Sequence, residues 1–257
     1  MTQNLRTNPA HTEQAQSQRA QLEGRTVVIF GGTSGIGLAA AIQAKAAGAK
    51  VIVIGFERDR AQQSAAEHGF DGWRAADVTR SETIYEALAD IPRVDHLAFL
   101  AGTFVAGKVR EADVGHLRRA FDERIWGSVH AIRALGDRLA QDGSITLVSG
   151  WLADRPNASG TAVLAAAVAG MEALARGLAL ELAPRRVNAL SPGPIDTPLW
   201  AKALGEGRDA AVAAIKETLP LHRFGTPAEA GAAVVFLMSN GWMTGATLHV
   251  DGGVRLV

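Results

Sequence analysis

Cysteine is absent from the 257 residues. That excludes disulfides, thiolate nucleophiles and cysteine-ligated metals, and no metal site is expected. Tyrosine occurs once, as Tyr85, and aromatic residues make up only 5% of the chain. Any chemistry that needs a phenol must therefore use that residue or go without. Net charge is missing as well, because 26 Lys and Arg balance 26 Asp and Glu. Without a chain-wide cationic surplus, neither nucleic acid nor an anionic membrane is an expected partner. Near-neutrality also removes repulsion between copies and so permits self-association. No uncharged apolar run reaches the ~18 residues needed to cross a bilayer. Residues 1–22 are polar and Gln-rich with no apolar centre, so they read as a flexible tail rather than a secretory signal. The expected compartment is the cytoplasm.

What is present is apolar and periodic. A hydrophobic share of 47% in 257 residues suits one domain, here residues 23–257, with a large core. Short buried-strand patterns lie at Thr26–Phe30, Val51–Ile54, His96–Leu100, Ser144–Val148, Val187–Leu190 and Thr247–Val250, with a weaker one at Trp73–Ala75. Helical patterns lie between them, at Gly35–Ala47, Arg58–His68, Ser81–Ala89, His116–Ala140, Thr161–Leu182 and Pro227–Met238. Parallel neighbours need helical crossovers, so this alternation predicts an α/β fold: a doubly wound, Rossmann-type parallel sheet of about seven strands, flanked by helices. Residues 193–225 hold Pro, Gly and a short helical pattern, a composition that suits a substrate lid.

The first strand runs into Gly31-Gly32-Thr33-Ser34-Gly35-Ile36-Gly37, which opens a helix. A glycine turn in that context binds a dinucleotide. Gly31 permits the turn, Gly35 lets the backbone approach a pyrophosphate, and Gly37 lets the helix pack close. The helix N-terminus then offers unpaired N–H groups and the positive end of its dipole. The end of the second strand reads Gly55-Phe56-Glu57-Arg58. An acidic residue there favours NAD by accepting ribose hydroxyls, and a cation favours NADP by pairing with its 2′-phosphate. Phe56 holds the usual position, with Glu57 and Arg58 following. The choice between NAD and NADP stays open, leaning to NADP.

Further motifs follow in order: Asp77-Val78-Thr79, Ala101-Gly102, Ser191-Pro192-Gly193-Pro194-Ile195-Asp196-Thr197, Arg223-Phe224-Gly225-Thr226-Pro227 and Val250-Asp251-Gly252-Gly253. With the glycine spacing they resemble the short-chain dehydrogenase/reductase family from about Gly24 to the C-terminus. The resemblance implies that Asp77 and Val78 bind adenine and that Ala101-Gly102 lie beside the adenosine ribose. It implies that Pro192, Gly193 and Ile195 line the nicotinamide and that Thr197 contacts the carboxamide or pyrophosphate. It also implies assembly into a homotetramer or dimer through the two long helices after the fourth and fifth strands.

The family's proton-transferring set is Asn, Ser, Tyr and Lys. Counting back from Arg176-Gly177-Leu178 puts the Tyr position at Leu164 and the Lys position at Val168; a two-residue slip gives Ala162 and Ala166. The Asn position reads Arg124. Only Ser149 remains of the set. A leucine and a valine cannot supply a proton, so the ordinary mechanism is not available. Ser149 and Arg124 are the catalytic candidates. Arg124 could polarise an oxygen or hold a carboxylate. Trp151, Pro194, Leu199 and Trp200 are expected to wall an apolar pocket for a small carbonyl or alcohol. Two other readings stand beside the oxidoreductase: a nucleotide-binding sensor without turnover, and an inactive partner subunit.

Overall fold

The computed structural model describes residues 21–200 and 208–257. Seven parallel strands form one sheet in the order β3-β2-β1-β4-β5-β6-β7. They are β1 (Thr26–Phe30), β2 (Lys50–Gly55), β3 (Gly72–Ala75), β4 (Val94–Phe99), β5 (Leu139–Val148), β6 (Arg186–Pro192) and β7 (Thr247–Val250). Between them run helices α1 (Gly35–Ala46), α2 (Arg58–His68), α3 (Ser81–Leu88), α4 (Val114–Phe121), α5 (Gly127–Leu135), α6 (Ala162–Glu181), α7 (Arg208–Thr218) and α8 (Pro227–Ser239). The chain order reverses between β1 and β4, and such a switch point leaves a crevice at the carboxyl ends of the strands.

Both sheet faces are buried, which explains why the strands read as continuous apolar runs. One face carries a core of Phe30, Phe99, Leu97, Ile145 and Leu147 packed on Ile84, Leu135 and Met171. The other packs Val27, Ile29 and Val53 on Ala40, Ala41 and Ala44 of α1 and Val234 and Leu237 of α8. Small alanines let α1 and α8 approach closely; a Cβ on Gly231 of α8 would sit 2.8 Å from the Ala40 backbone nitrogen of α1.

Two expectations need correction. The tail does not extend to residue 22, because Leu22 is fully buried in the α1 side of the core; residues 1–20 lie outside the described residues. The helical pattern at His116–Ala140 is not one helix. Gly136, at φ +51, stops α5, and Arg138 turns back to bond the Leu88 and Ile91 carbonyls at 2.6 and 2.7 Å. Leu139 then enters β5 opposite Val94. Upstream, residues Asp122–Trp126 form a π-helical turn. As for the segment 193–225, α7 lies within it, but residues 201–207 fall outside the described residues. Among the described helices, α6 alone is long and apolar enough by composition to cross a membrane; it carries Glu172 and Arg176, and its inward face, with Met171 and Ala175, is part of the core.

Candidate active site

The crevice at the switch point is a cleft of about 580 Å³. At its centre, Gly31, Thr33, Ser34, Gly35, Ile36 and Gly37 line it from the β1–α1 turn. Ser34 makes no side-chain cap and the first turn of α1 holds no acid, so its amides are left for an anion. Gly35 sits at φ +53, and a Cβ there would come 3.1 Å from Thr197 Cγ2 across the cleft. A Cβ on Gly37 would fall 2.1 Å from the Gly31 carbonyl oxygen. The cradle thus exists only because these two positions lack side chains.

One end of the cleft is lined by Phe56, Glu57, Asp77, Val78 and Ala101. Asp77 accepts bonds from Thr79 N and Oγ1 at 2.9 and 2.7 Å through Oδ1 alone, which leaves Oδ2 for a ligand. Arg58 is not brought into the cleft. Its guanidinium lies 5.0 Å above the Trp73 ring in a cation–π contact. The basic residue that does reach the lining is Arg60, two positions later on α2. Helical phase explains the exchange: successive residues lie ~100° apart around a helix, so 58 and 60 cannot share a face.

The other end is lined by Val148, Ser149, Pro192, Thr197, Pro198 and Leu199. Of the expected apolar wall, only Leu199 reaches the cleft. Trp200 stacks between Phe104 and Phe224 at 5.9 and 5.6 Å. Trp151 packs against two apolar clusters instead. Gly193 lies against the Asp251 backbone, while Pro194 and the buried Ile195 are tied to Gly225. Gly193, Pro194 and Ile195 do not line the cleft.

Arg124 does line it, with Glu123 and Thr103. The π-helical turn inserts an extra residue into the helix, and both Glu123 and Arg124 point inward and are buried. Glu123 accepts bonds from Thr103 N at 2.7 Å, Thr103 Oγ1 at 2.8 Å and Arg119 Nη2 at 2.7 Å. It therefore fastens the loop after β4 to the helix. Arg124 Nη2 donates to the Thr103 carbonyl at 2.8 Å, while its Nε and Nη1 make no hydrogen bond. The nearest carboxylate oxygen to Nη1 belongs to Glu123, at 3.8 Å. Burial pushes the guanidinium below its ordinary pKa, and Glu123 opposes that shift. Arg119, Glu123 and Thr103 were missed in the sequence. The i, i+4 spacing of Arg119 and Glu123 was the available signal.

Leu164 and Val168 take no part in the cleft. They are 2% and 4% exposed, packed with Val105, Ala120, Leu152, Ala165 and Ala167. The single tyrosine, Tyr85, is on α3 and meets His130 edge-on at 6.3 Å, away from the lining. Ser149 is buried at the end of β5. Its hydroxyl lies 2.7 Å from Glu172 Oε1 and 3.0 Å from the Val168 carbonyl. Glu172 was also missed. It is an acid in the otherwise apolar stretch Ala162–Ala175, which was its only mark.

The overall fold agrees with solved structures of known kind. The family described as Enoyl-(Acyl carrier protein) reductase matches residues 31–255. Carbonyl reductase family member 4 of Danio rerio is 31% identical, over 91% of this chain and 99% of that protein. The cyclic-di-GMP-binding biofilm dispersal mediator protein of Escherichia coli is 30% identical, over 89% and 96%. The crystal structure of a small-chain dehydrogenase in complex with NADPH superposes with a TM-score of 0.80 at 34% identity, covering 91% of this chain and all of that one. The chain belongs to the short-chain dehydrogenase/reductase family of NAD(P)-binding oxidoreductases.

Proposed function

We propose that the protein binds NADP and acts as an oxidoreductase on a small alcohol or carbonyl compound. One observation carries this reading: a continuous cleft joins the glycine cradle at Gly35 and Gly37 to Ser149. The cradle suits a pyrophosphate, and Asp77 Oδ2 suits the adenine amino group. Thr197 and Pro192 flank the place left for the nicotinamide. A bound nicotinamide supplies or accepts a hydride. The chain itself must orient the substrate and handle the proton, and Ser149 is one of the two hydroxyl residues at that end, with Thr197.

Arg60 favours NADP, because a guanidinium pairs with a 2′-phosphate and the key position holds Phe56, while Glu57 on the same lining is the group that would favour NAD. In fluorescence titrations NADPH should bind about 10-fold tighter than NADH, a difference of ~1.4 kcal/mol. Arg60→Glu should reverse the order. Equal affinities, unmoved by the substitution, would refute the NADP assignment. No saturable binding of either cofactor at millimolar concentration would refute the whole reading.

A second reading has its own support. Leu164 and Val168 are sealed in an apolar cluster, and one relative is described as a nucleotide-binding mediator of biofilm dispersal. A cofactor-binding protein without turnover would fit both. A panel of alcohols and carbonyls, followed at the nicotinamide absorbance, separates the two.

We further propose that the chain self-associates into a dimer or tetramer through α4–α5 and α6. Trp126 is 53% exposed and Leu180 84% exposed on this helical layer, and association would cover such surface. Light scattering should give a multiple of 26.9 kDa. A monomer mass at micromolar concentration would contradict this.

A further inference from the structure

Ser149 lines the cleft, and its one hydroxyl hydrogen is already engaged. Its Oγ has two partners, Glu172 Oε1 at 2.7 Å and the Val168 carbonyl at 3.0 Å. Both are acceptors, the carbonyl always and the carboxylate when ionised. A hydroxyl has one hydrogen, so it goes to one of them, and the carboxylate at the shorter distance is the stronger acceptor. What remains for a ligand at Oγ is lone-pair density. A ketone oxygen placed there would meet another acceptor. An alcohol hydroxyl would meet its complement.

Glu123 and Thr197 also line the cleft, but Glu123 is held by Thr103 and Arg119. Leu164 and Val168 are apolar and buried, and Tyr85 is distant. Arg124 lines the cleft but offers only N–H donors. Glu172 does not line the cleft; it stands behind Ser149 and is half-buried, with a side open to solvent. In the single chain, Ser149 is thus linked through one hydrogen bond to a carboxylate that is not fully buried.

The geometry points to Ser149 and Glu172 as a proton-accepting pair that selects and deprotonates an alcohol, with Glu172 acting through Ser149 as a positioning and proton-accepting residue. The inference rests on the oxidoreductase reading above. In the step implied, the substrate O–H proton passes to Ser149 Oγ as the serine's own proton passes to Glu172. The carbinol C–H leaves as hydride to the oxidised nicotinamide dinucleotide, and the C–O bond becomes C=O. Glu172 then releases its proton to water. The protein would thus be an alcohol oxidiser by construction. Ser149 would accept a hydrogen bond from the substrate, where a carbonyl-polarising serine would donate one.

The test compares matched pairs: cyclohexanol with cyclohexanone, 2-butanol with butanone, and benzyl alcohol with benzaldehyde. Binding is measured by calorimetry on the wild type, with and without saturating NADP⁺. Each alcohol should bind at least about 10-fold tighter than its carbonyl partner. Glu172→Gln should cut alcohol oxidation by ~10²-fold in kcat with little change in KM, the scale for losing a positioned base. Glu172→Asp should recover part of the rate, and both variants should keep the wild-type affinity for NADP⁺, which also reports that they are folded. Tighter binding of the carbonyls, binding of neither class, or full turnover in Glu172→Gln would overturn the pair. Alcohol binding without any oxidation would overturn its proton-transfer role. If NADP⁺ itself does not bind, the oxidoreductase reading fails, while the alcohol preference of the unloaded protein still tests what Ser149 presents.

Discussion

The double variant Leu164→Tyr/Val168→Lys is expected to melt roughly 10–20 °C below the wild type and to gain no ketone reductase activity. The substitutions restore the family's tyrosine and lysine at the positions counted from the sequence. They do so in a place that is no longer a cleft. Leu164 and Val168 are 2% and 4% exposed, and their neighbours Val105, Ala120, Leu152 and Ala167 are buried too. A phenol there would overfill the cluster, at a cost of about 1–3 kcal/mol. An ammonium there would lose its water, and breaking or stranding a buried charge costs about 3–5 kcal/mol. Glu172, one turn further along α6, is the nearest candidate for a counter-ion, but it is engaged with Ser149. Thermal unfolding and a ketone panel check both halves of the expectation. A variant that melts with the wild type and reduces ketones would mean that the cleft extends over α6 after all.

Gly35→Val should abolish dinucleotide binding, weakening it by at least about 100-fold, or ~2.7 kcal/mol. Two effects act together. Residue 35 needs φ +53, where a β-branched side chain is strained by about 1–3 kcal/mol. Its Cβ would also stand 3.1 Å from Thr197 Cγ2, joining the two walls of the proposed pyrophosphate site. Circular dichroism should remain close to the wild type, because Thr197 is a side-chain contact that can give way. Gly37→Ala differs in kind. There the clash is 2.1 Å against the backbone oxygen of Gly31, so α1 itself must move and folding suffers. Saturable binding by Gly35→Val at wild-type affinity would show that the nucleotide lies elsewhere.

The parts of this protein that were legible in its sequence are those with a local cause. Alternating apolar runs and 3.6-residue periods depend on neighbours a few residues apart, and they predicted the parallel sheet and its seven strands correctly. The glycine turn was legible for the same reason, since backbone conformation and close approach are demands on single positions. The helix read over His116–Ala140 failed where a local signal, Gly136, was outweighed by the apolar pattern on either side. Arg58 was singled out over Arg60 because the phase of α2 against the sheet is not a local property.

Composition and motif spacing by themselves determined the family and the two-sided core. Only the tertiary structure decided what the chemical end presents. The bond from Ser149 to Glu172 spans 23 residues, and those from Thr103 to Glu123 span 20. Nothing in a strand pattern or a helix period specifies which hydroxyl hydrogen turns toward which carboxylate. The same holds for Leu164 and Val168. Their identities show that no proton can come from them, but whether they border an open cleft or a closed apolar cluster depends on side chains from α4, α6 and the loops after β4 and β5, which meet only when the chain has folded.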